Sequence, residues 1–226
     1  MTAALYGKNI FLSTKCDDTK IFRIFANQIL TVMIVGYDAN NAFRNSSELG
    51  DYSRELLVKL ASGRNKVFQA LLFSTRIKSE FRTSFTSHSN VSTYVPVGLS
   101  KLMPAIWMRF SVNTILREEK VKIYHGLNEE LPYGIMRDVK TIVTCYGLKR
   151  HYTTSLMDSF MWRFRMRYAF RASDAIVAIS DAVRQELIDY GVQAEKIHVI
   201  GSGNLQVNDQ IAQQYFDLYQ KLLGED

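Results

Sequence analysis

Six short apolar runs punctuate the chain: MIVGYDA (33–39), KVFQALLFS (66–74), VKIYHG (121–126), VKTIVTCYG (139–147), DAIVAIS (174–180) and KIHVIG (196–201). They are rich in β-branched residues and little interrupted by polar positions, the pattern of strands covered on both faces. Between them, apolar residues recur at helical spacing in DYSRELLVKLAS, PAIWMRFSVNTILREE, SLMDSFMWRFRMRYAFRAS and SDAVRQELIDYG. Strand and helix alternating in this way predict β-α-β units, hence an α/β fold with a parallel sheet and helices on both faces. Ligands of such sheets bind beyond the carboxyl ends of the strands. His125 and Gly126, at the end of VKIYHG, fall there.

Helix-start chemistry supports the segmentation. Ser180 or Asp181 can accept free backbone N–H groups at the start of SDAVRQEL, with Gly191 closing that helix, and Asp51 and Ser53 can do the same before RELLVKLA. The Ser/Thr-rich stretch from Thr83 to Thr93 reads as a mobile surface loop. The segment IFRIFANQILTVMIVGY is broken by Arg23, Asn27 and Gln28, too short and polar for the roughly 20 apolar residues of a membrane span, and it lacks the cleavage site of a signal peptide. Residues 1–32 therefore read as an N-terminal extension running into a first core strand at Met33.

Composition changes this picture little. At 226 residues, 47% hydrophobic and 22% charged, the chain has enough apolar material for a large buried core. Cys16 and Cys145 give neither metal-ligand spacing nor a disulfide framework, which points to a reducing, cytoplasmic compartment and no metal site. A net charge of +6 fits nucleic acid, an anionic membrane face or a phosphate-bearing substrate without choosing among them. No recognised nucleic-acid motif accompanies the arginines, so no nucleic-acid partner is expected. A dinucleotide oxidoreductase is disfavoured, because GYDANN stands where G-x-G-x-x-G would follow the first strand.

Three stretches in the same order, GYDANNAFRNSSELGDYSRELLVKLA (36–61), PAIWMRFSV with VKIYHGLNEELPYGI (104–135), and RYAFRASDAIVAISDAVRQELIDYGVQAEKIHVIGSG (167–203), resemble the N-terminal domain of glycosyltransferase family 4. These are group 1, retaining enzymes of GT-B fold, particularly those making bacterial surface polysaccharides. The resemblance covers about Met33 to Gly203 and implies one Rossmann-like half of a GT-B fold. In that fold the N-terminal half mainly holds the acceptor and the C-terminal half the nucleotide-sugar donor. The nucleotide sugar is a co-substrate; no cofactor is implied.

The resemblance also assigns residues. Gly50 in SSELGDYS matches the glycine-rich loop that approaches the donor diphosphate, since a residue without a side chain lets N–H groups at a helix start come close to an anion. His125 matches a strand-tip histidine near the transferred sugar, the candidate catalytic residue, able to hydrogen-bond a hydroxyl or stabilise developing charge; the competing reading is a structural histidine. Gly126, Asn128, Glu129, Glu130 and Tyr146 complete the expected substrate-binding set. Glu129 and Glu130 also invite a glycosidase reading, but neighbours in sequence rarely flank a bond as glycosidase carboxylates do. Acceptor-hydroxyl binding by one of them, or solvation of the loop, is preferred. Many relatives carry a His-Asp pair where this chain has Tyr146 and Gly147, which implies changed acceptor recognition or a decayed site.

On a helix, Arg163, Arg167 and Arg171 form one cationic stripe and Trp162, Met166 and Phe170 an apolar one. That stripe is a candidate contact for anionic headgroups at the inner membrane face, or simply the solvated side of a core helix. After Gly203 only VNDQIAQQYFDLYQKLLGED follows the NLQ linker, with Ile211, Tyr215, Leu218 and Leu222 in an apolar stripe. The division expected is 1–32 extension, 33–203 glycosyltransferase domain and 204–226 a helix packing back on it, without the donor domain. Two functions stand: an acceptor-side half, for a glycan or lipid-linked acceptor, that works with a donor domain supplied in trans, and a non-catalytic glycan- or partner-binding remnant.

Overall fold

A computed structural model describes residues 32–63, 68–148, 156–201 and 203–224. Seven strands form one sheet: β1 (Met33–Asp38), β2 (Phe68–Phe73), β3 (Val91–Tyr94), β4 (Ile123–Gly126), β5 (Lys140–Cys145), β6 (Ala175–Ala178) and β7 (Ile197–Val199). Their order is β3-β2-β1-β4-β5-β6-β7 and every pairing is parallel. The chain winds outward from β1 through β2 to β3, then returns to the other side of β1 as β4. That reversal opens a crevice at the carboxyl ends of β1 and β4.

All six strands read from apolar runs are present. β3 escaped the pattern for a physical reason: VSTY is an edge strand with one exposed and three half-buried residues, so it needs no apolar run. It emerges from the end of the Thr83–Thr93 stretch, the rest of which is a series of turns. The helix α1 (Asn40–Arg44) is too short for periodicity to show.

The next helix, α2 (Glu48–Ser62), starts earlier than its capping residues suggested. Ser47 holds the N-cap position, so Asp51 and Ser53 lie inside the helix: Asp51 pairs with Arg54, and the buried Ser53 hydroxyl donates to the Leu49 carbonyl at 2.8 Å. At α6 (Asp181–Asp189) the expected cap is present, with Ser180 Oγ accepting the Val183 N–H at 3.3 Å. The helical stretch after β3 is not uniform. Its opening turn α3 (Pro104–Ile106) passes through a π-helical segment (Trp107–Ser111) into α4 (Val112–Glu118). Trp107, Met108, Val112 and Leu116 are buried, while Leu102, Met103, Ile106 and Phe110 remain in solvent. On α5 (Leu156–Ala172), Arg163, Arg167 and Arg171 share the exposed side, and Met166 and Phe170 are buried.

The last helix, α7 (Asp209–Leu223), begins where Asn208 Oδ1 accepts the Ile211 N–H at 2.8 Å. It buries Ile211, Ala212, Tyr215, Leu218 and Tyr219. Tyr37, His125 and Thr144 come from β1, β4 and β5 and face the same side of the sheet, because register pairs Tyr37 with His125 and His125 with Ile142, two residues before Thr144. Tyr215 and Tyr219 of α7 sit on them. Tyr37 O–H donates to Tyr219 Oη at 3.3 Å, and Tyr219 is 2.8 Å from His125 Nδ1. His125 Nε2 is 2.8 Å from Thr144 Oγ1, which lies 3.3 Å from Tyr215 Oη, itself 3.0 Å from Tyr52 Oη of α2. With Tyr37 donating, the single Tyr219 proton goes to Nδ1, and the ring proton then rests on Nε2 facing Thr144.

Removing these contacts separates packing from hydrogen bonding. Tyr215→Ala, which leaves an aromatic-sized void, is expected to cost about 3–5 kcal/mol. Tyr215→Phe, which keeps the ring, orphans the buried Tyr52 hydroxyl and leaves Thr144 with His125 alone, is expected to cost about 1–3 kcal/mol. Urea denaturation of the two variants checks this; equal and negligible losses would mean that α7 does not secure the sheet.

Candidate functional site

Where the winding reverses, a cleft of about 500 Å³ opens at the carboxyl edge. Asn40, Asn41 and Arg44 line it from α1, Thr75, Arg76 and Lys78 from the segment after β2, Arg109 from the π-helical turn, and Asn128 and Glu130 from the loop after β4.

Its floor is a chain of fixed polar groups starting at Asp38, the last residue of β1. Asp38 Oδ1 accepts the Asn40 backbone N–H at 2.9 Å and the Asn40 side-chain amide at 2.8 Å. Asn40 Oδ1 in turn accepts from Thr75 N–H at 3.0 Å and Thr75 O–H at 2.7 Å, and Arg44 donates to Thr75 Oγ1 at 2.9 Å. Asp38 is buried, and that loss of solvent, reinforced by Glu130, outweighs the hydrogen bonds from Asn40 and Asn128 and pushes its carboxyl up to about 7. Asn128 gives its amide to Asp38, while its own Oδ1 is buried without a hydrogen-bond partner. A carboxyl poised near neutrality beside an unsatisfied acceptor is a combination found at ligand sites.

Of the residues expected from the sequence, Asn128 and Glu130 line this cleft, Glu130 with a 2.8 Å ion pair to Arg165. Others are elsewhere. His125, expected at an exposed strand tip, is fully buried beneath α7, with the Tyr215 and Tyr219 rings 5.5 and 5.8 Å away. Both ring nitrogens are taken by Thr144 and Tyr219, so neither is presented to a ligand, and burial lowers the ring to about 3. This burial fits the structural reading of His125, with tyrosine and threonine hydroxyls holding both nitrogens, and does not present the ring as the catalytic expectation requires. Gly50 lies in the first turn of α2 instead of a loop. A Cβ there would fall 1.8 Å from the Asn45 carbonyl oxygen, and its N–H donates to Ser47 at 2.8 Å, so its bareness serves the α1–α2 corner and its amide is not offered to an anion. Gly126 admits the Glu130 carbonyl in the same way, 2.1 Å from a hypothetical Cβ. Glu129 is buried at φ 57° and accepts the Tyr146 N–H at 2.9 Å, tying the β4 loop to the end of β5. Tyr146 is in the core, edge-on to Tyr52 at 5.6 Å. Arg163, Arg167 and Arg171 stay on the outer side of α5, outside the cleft lining. Among the described residues no cluster of His, Cys, Asp or Glu could hold a metal, and no helix is long and apolar enough to cross a membrane.

Sequence reasoning overlooked Asp38, Asn40, Arg44, Arg76 and Arg109. A signal is present in the sequence: GYDANN places an acid and two amides at the carboxyl end of the central strand.

The glycosyltransferase family 4 model matches residues 66–203, more than half of the chain. The chain therefore belongs to glycosyltransferase family 4, and its fold is a Rossmann-like half of the GT-B kind. Among solved structures it is similar to Anabaena Alr3699/HepE in complex with UDP-glucose, at 17% identity and a TM-score of 0.52, covering 75% of this chain and 43% of that one. The same protein in complex with UDP and glucose gives 16% identity and a TM-score of 0.51, with 76% and 44% covered. The chain thus spans less than half the length of these structures. No curated protein matches it.

Two buried groups predict the pH response. Unfolded His125 takes a proton near pH 6.5 and the native ring near 3, so acidification through this window costs stability, about 2 kcal/mol at pH 5. Asp38 works in the opposite direction: its native carboxyl takes a proton near 7 and the unfolded one near 4, so stability rises as pH falls between them. The two slopes offset one another between about pH 6.5 and 4. Asp38→Asn should therefore be more stable than wild type at pH 8 and lose stability more steeply on acidification, as read by denaturation at pH 8, 6.5 and 5. Parallel profiles for the two proteins would contradict the assignment.

Proposed function

We propose that this chain is the acceptor-side portion of a nucleotide-sugar-dependent glycosyltransferase, retaining as its family resemblance implies, acting in surface-polysaccharide or lipid-linked glycan synthesis. The observation that carries the reading is the carboxyl-edge cleft, whose asparagine amides, with the buried and unpartnered Oδ1 of Asn128 among them, suit hydroxyls that both donate and accept. Donor binding is assigned to a second, donor-binding unit, supplied in trans or by a longer chain. UDP-glucose, bound by the Anabaena protein, is the first donor to test. The proposed location is cytoplasmic and peripheral to the inner membrane face, with the exposed Arg163, Arg167 and Arg171 stripe toward anionic headgroups.

A second reading, a non-catalytic glycan-binding module, is favoured by the burial of His125, which leaves the cleft without a lining histidine among the described residues. Mixing the chain with a donor-binding half, UDP-glucose and a panel of glycan acceptors decides between them. Transfer that falls about tenfold or more in Asn128→Ala supports the first reading, because a site built around a hydroxyl discriminates strongly when one partner is lost. Glycan binding without transfer, lost in the same variant, supports the second. Transfer unaffected by Asn128→Ala removes the cleft from the function.

Membrane contact is tested separately by cosedimentation. Replacing all three arginines by Gln should abolish salt-sensitive binding to vesicles containing anionic lipid, since each contributes about 1 kcal/mol near the surface. Equal binding to neutral and anionic vesicles would contradict it.

A further inference from the structure

Arg54 lies outside the lining of the cleft, yet it is bonded to the back of the element that supplies one side of it. Asn40, Asn41 and Arg44 reach the cleft from α1, a helix of five residues. That is well below the roughly 12–15 residues a helix needs to persist unaided in water. Ala39 at its N-cap offers no side-chain acceptor to the free N–H groups, so the placement of α1 is set by its neighbours.

At the other end Arg54 is such a neighbour. From the second turn of α2 its Nη1 donates to the Ala42 carbonyl at 2.8 Å and to the Asn45 carbonyl at 2.9 Å, at the end where a helix leaves carbonyls without intrahelical partners. Its Nη2 donates to Asp51, and its guanidinium carbon lies 3.9 Å from the centre of the Phe81 ring. One planar cation therefore ties α1 and α2 to the short helical turn Ser79–Phe81 that follows β2. A fork with several donors in fixed directions can do this, whereas the single nitrogen of a lysine cannot span the same set. The side chain is 13% exposed, so water competes little for these bonds.

Gly50 belongs to the same arrangement. A Cβ there would fall 1.8 Å from the Asn45 oxygen and 3.1 Å from Arg54 Nη1, so its bareness leaves room for the bond between them. On the cleft side this corner carries Arg44, Arg76 and Lys78, with Arg109 across from them. Like charges gathered around one cleft repel and tend to splay it, a force that a clamp behind α1 resists.

We propose that Arg54 is a positioning residue for the cleft: its clamp on the Ala42 and Asn45 carbonyls, admitted by Gly50, sets where α1 presents Asn40 and Asn41. Its effect on recognition rests on the acceptor-side reading, while its effect on α1 rests on the contacts alone. Arg54 acts from behind, through the main chain, and touches no ligand.

Side-chain amide NMR signals of the full chain report the position of α1 without any ligand. In Arg54→Ala the Asn40 and Asn41 signals should shift, while that of Asn208, which caps α7, keeps its wild-type position. Added guanidinium should restore the two signals, and methylammonium, a cation without a fork, should not. Gly50→Ala should displace the same pair. Arg54→Lys keeps the charge and most of the buried stem, so it serves if the Ala variant does not fold, and it too should shift both signals. Wild-type positions of Asn40 and Asn41 in either Arg54 variant, an equal shift at Asn208, or restoration by methylammonium overturns the proposal.

In the assay with a donor-binding half, glycan recognition should weaken about tenfold or more in Arg54→Ala and recover with guanidinium. If Asn128→Ala abolishes recognition while Arg54→Ala leaves it unchanged, the acceptor-side reading stands and this inference fails. If neither variant changes recognition but the Asn40 and Asn41 signals still shift, Arg54 positions α1 as proposed and the acceptor-side reading is what fails.

Discussion

The fold depends on one buried hydrogen-bonded chain running from Tyr37 through Tyr219, His125 and Thr144 to Tyr215 and Tyr52. It joins three neighbouring strands to α7 and α2, so that the last helix is bound to the sheet by directional contacts as well as by the apolar burial of Ile211 and Leu218. Each hydroxyl in it is out of water, and each would be costly to leave unpaired. A neutral imidazole at its centre keeps one nitrogen as donor and the other as acceptor; protonation would place two donors against hydroxyls already ordered in one direction. This is why burial at His125 is tolerated and why the same residue does not face a ligand.

With β4 held in that way, its loop is free to do something different on the edge. Gly126 lets the chain turn back tightly enough for the Glu130 carbonyl to approach it, Glu129 fastens the loop to the start of the β5 connection, and Asn128 is left pointing at Asp38. The loop thus has an inner half that makes structure and an outer half that borders the cleft. The paired acids divide along the same line: Glu129 binds backbone inside, and Glu130 meets Arg165 outside. Across the cleft, α1 and the segment after β2 supply cations, which makes a basic mouth over a floor containing one carboxyl that burial pushes up to about 7.

Much of this fold was legible because buried parallel strands leave short apolar runs rich in β-branched residues. Six strands and the long helices followed from that, and the parallel sheet followed from their alternation. β3 was hidden because an edge strand can be polar, and α1 because five residues show no period. The site was less legible. Gly50, Gly126, His125 and Tyr146 were singled out as residue types suited to ligands, and each is consumed by packing: two by close backbone approach, one by a hydroxyl network, one by an aromatic core. Asn128 and Glu130 were found because the whole loop was suspect. The arginines that line the cleft come from three separate segments, and only the strand order brings them together. Spacing along a sequence carries no trace of such convergence.

The central claim is that ligand recognition belongs to the cleft at the ends of β1 and β4 and not to His125. Side-chain amide and imidazole NMR signals report the two places at once during titration with a panel of glycan acceptors. The account predicts saturable shifts at Asn40, Asn41 and Asn128 with the His125 ring unmoved, whereas shifts confined to His125, with those three amides unchanged, would contradict it.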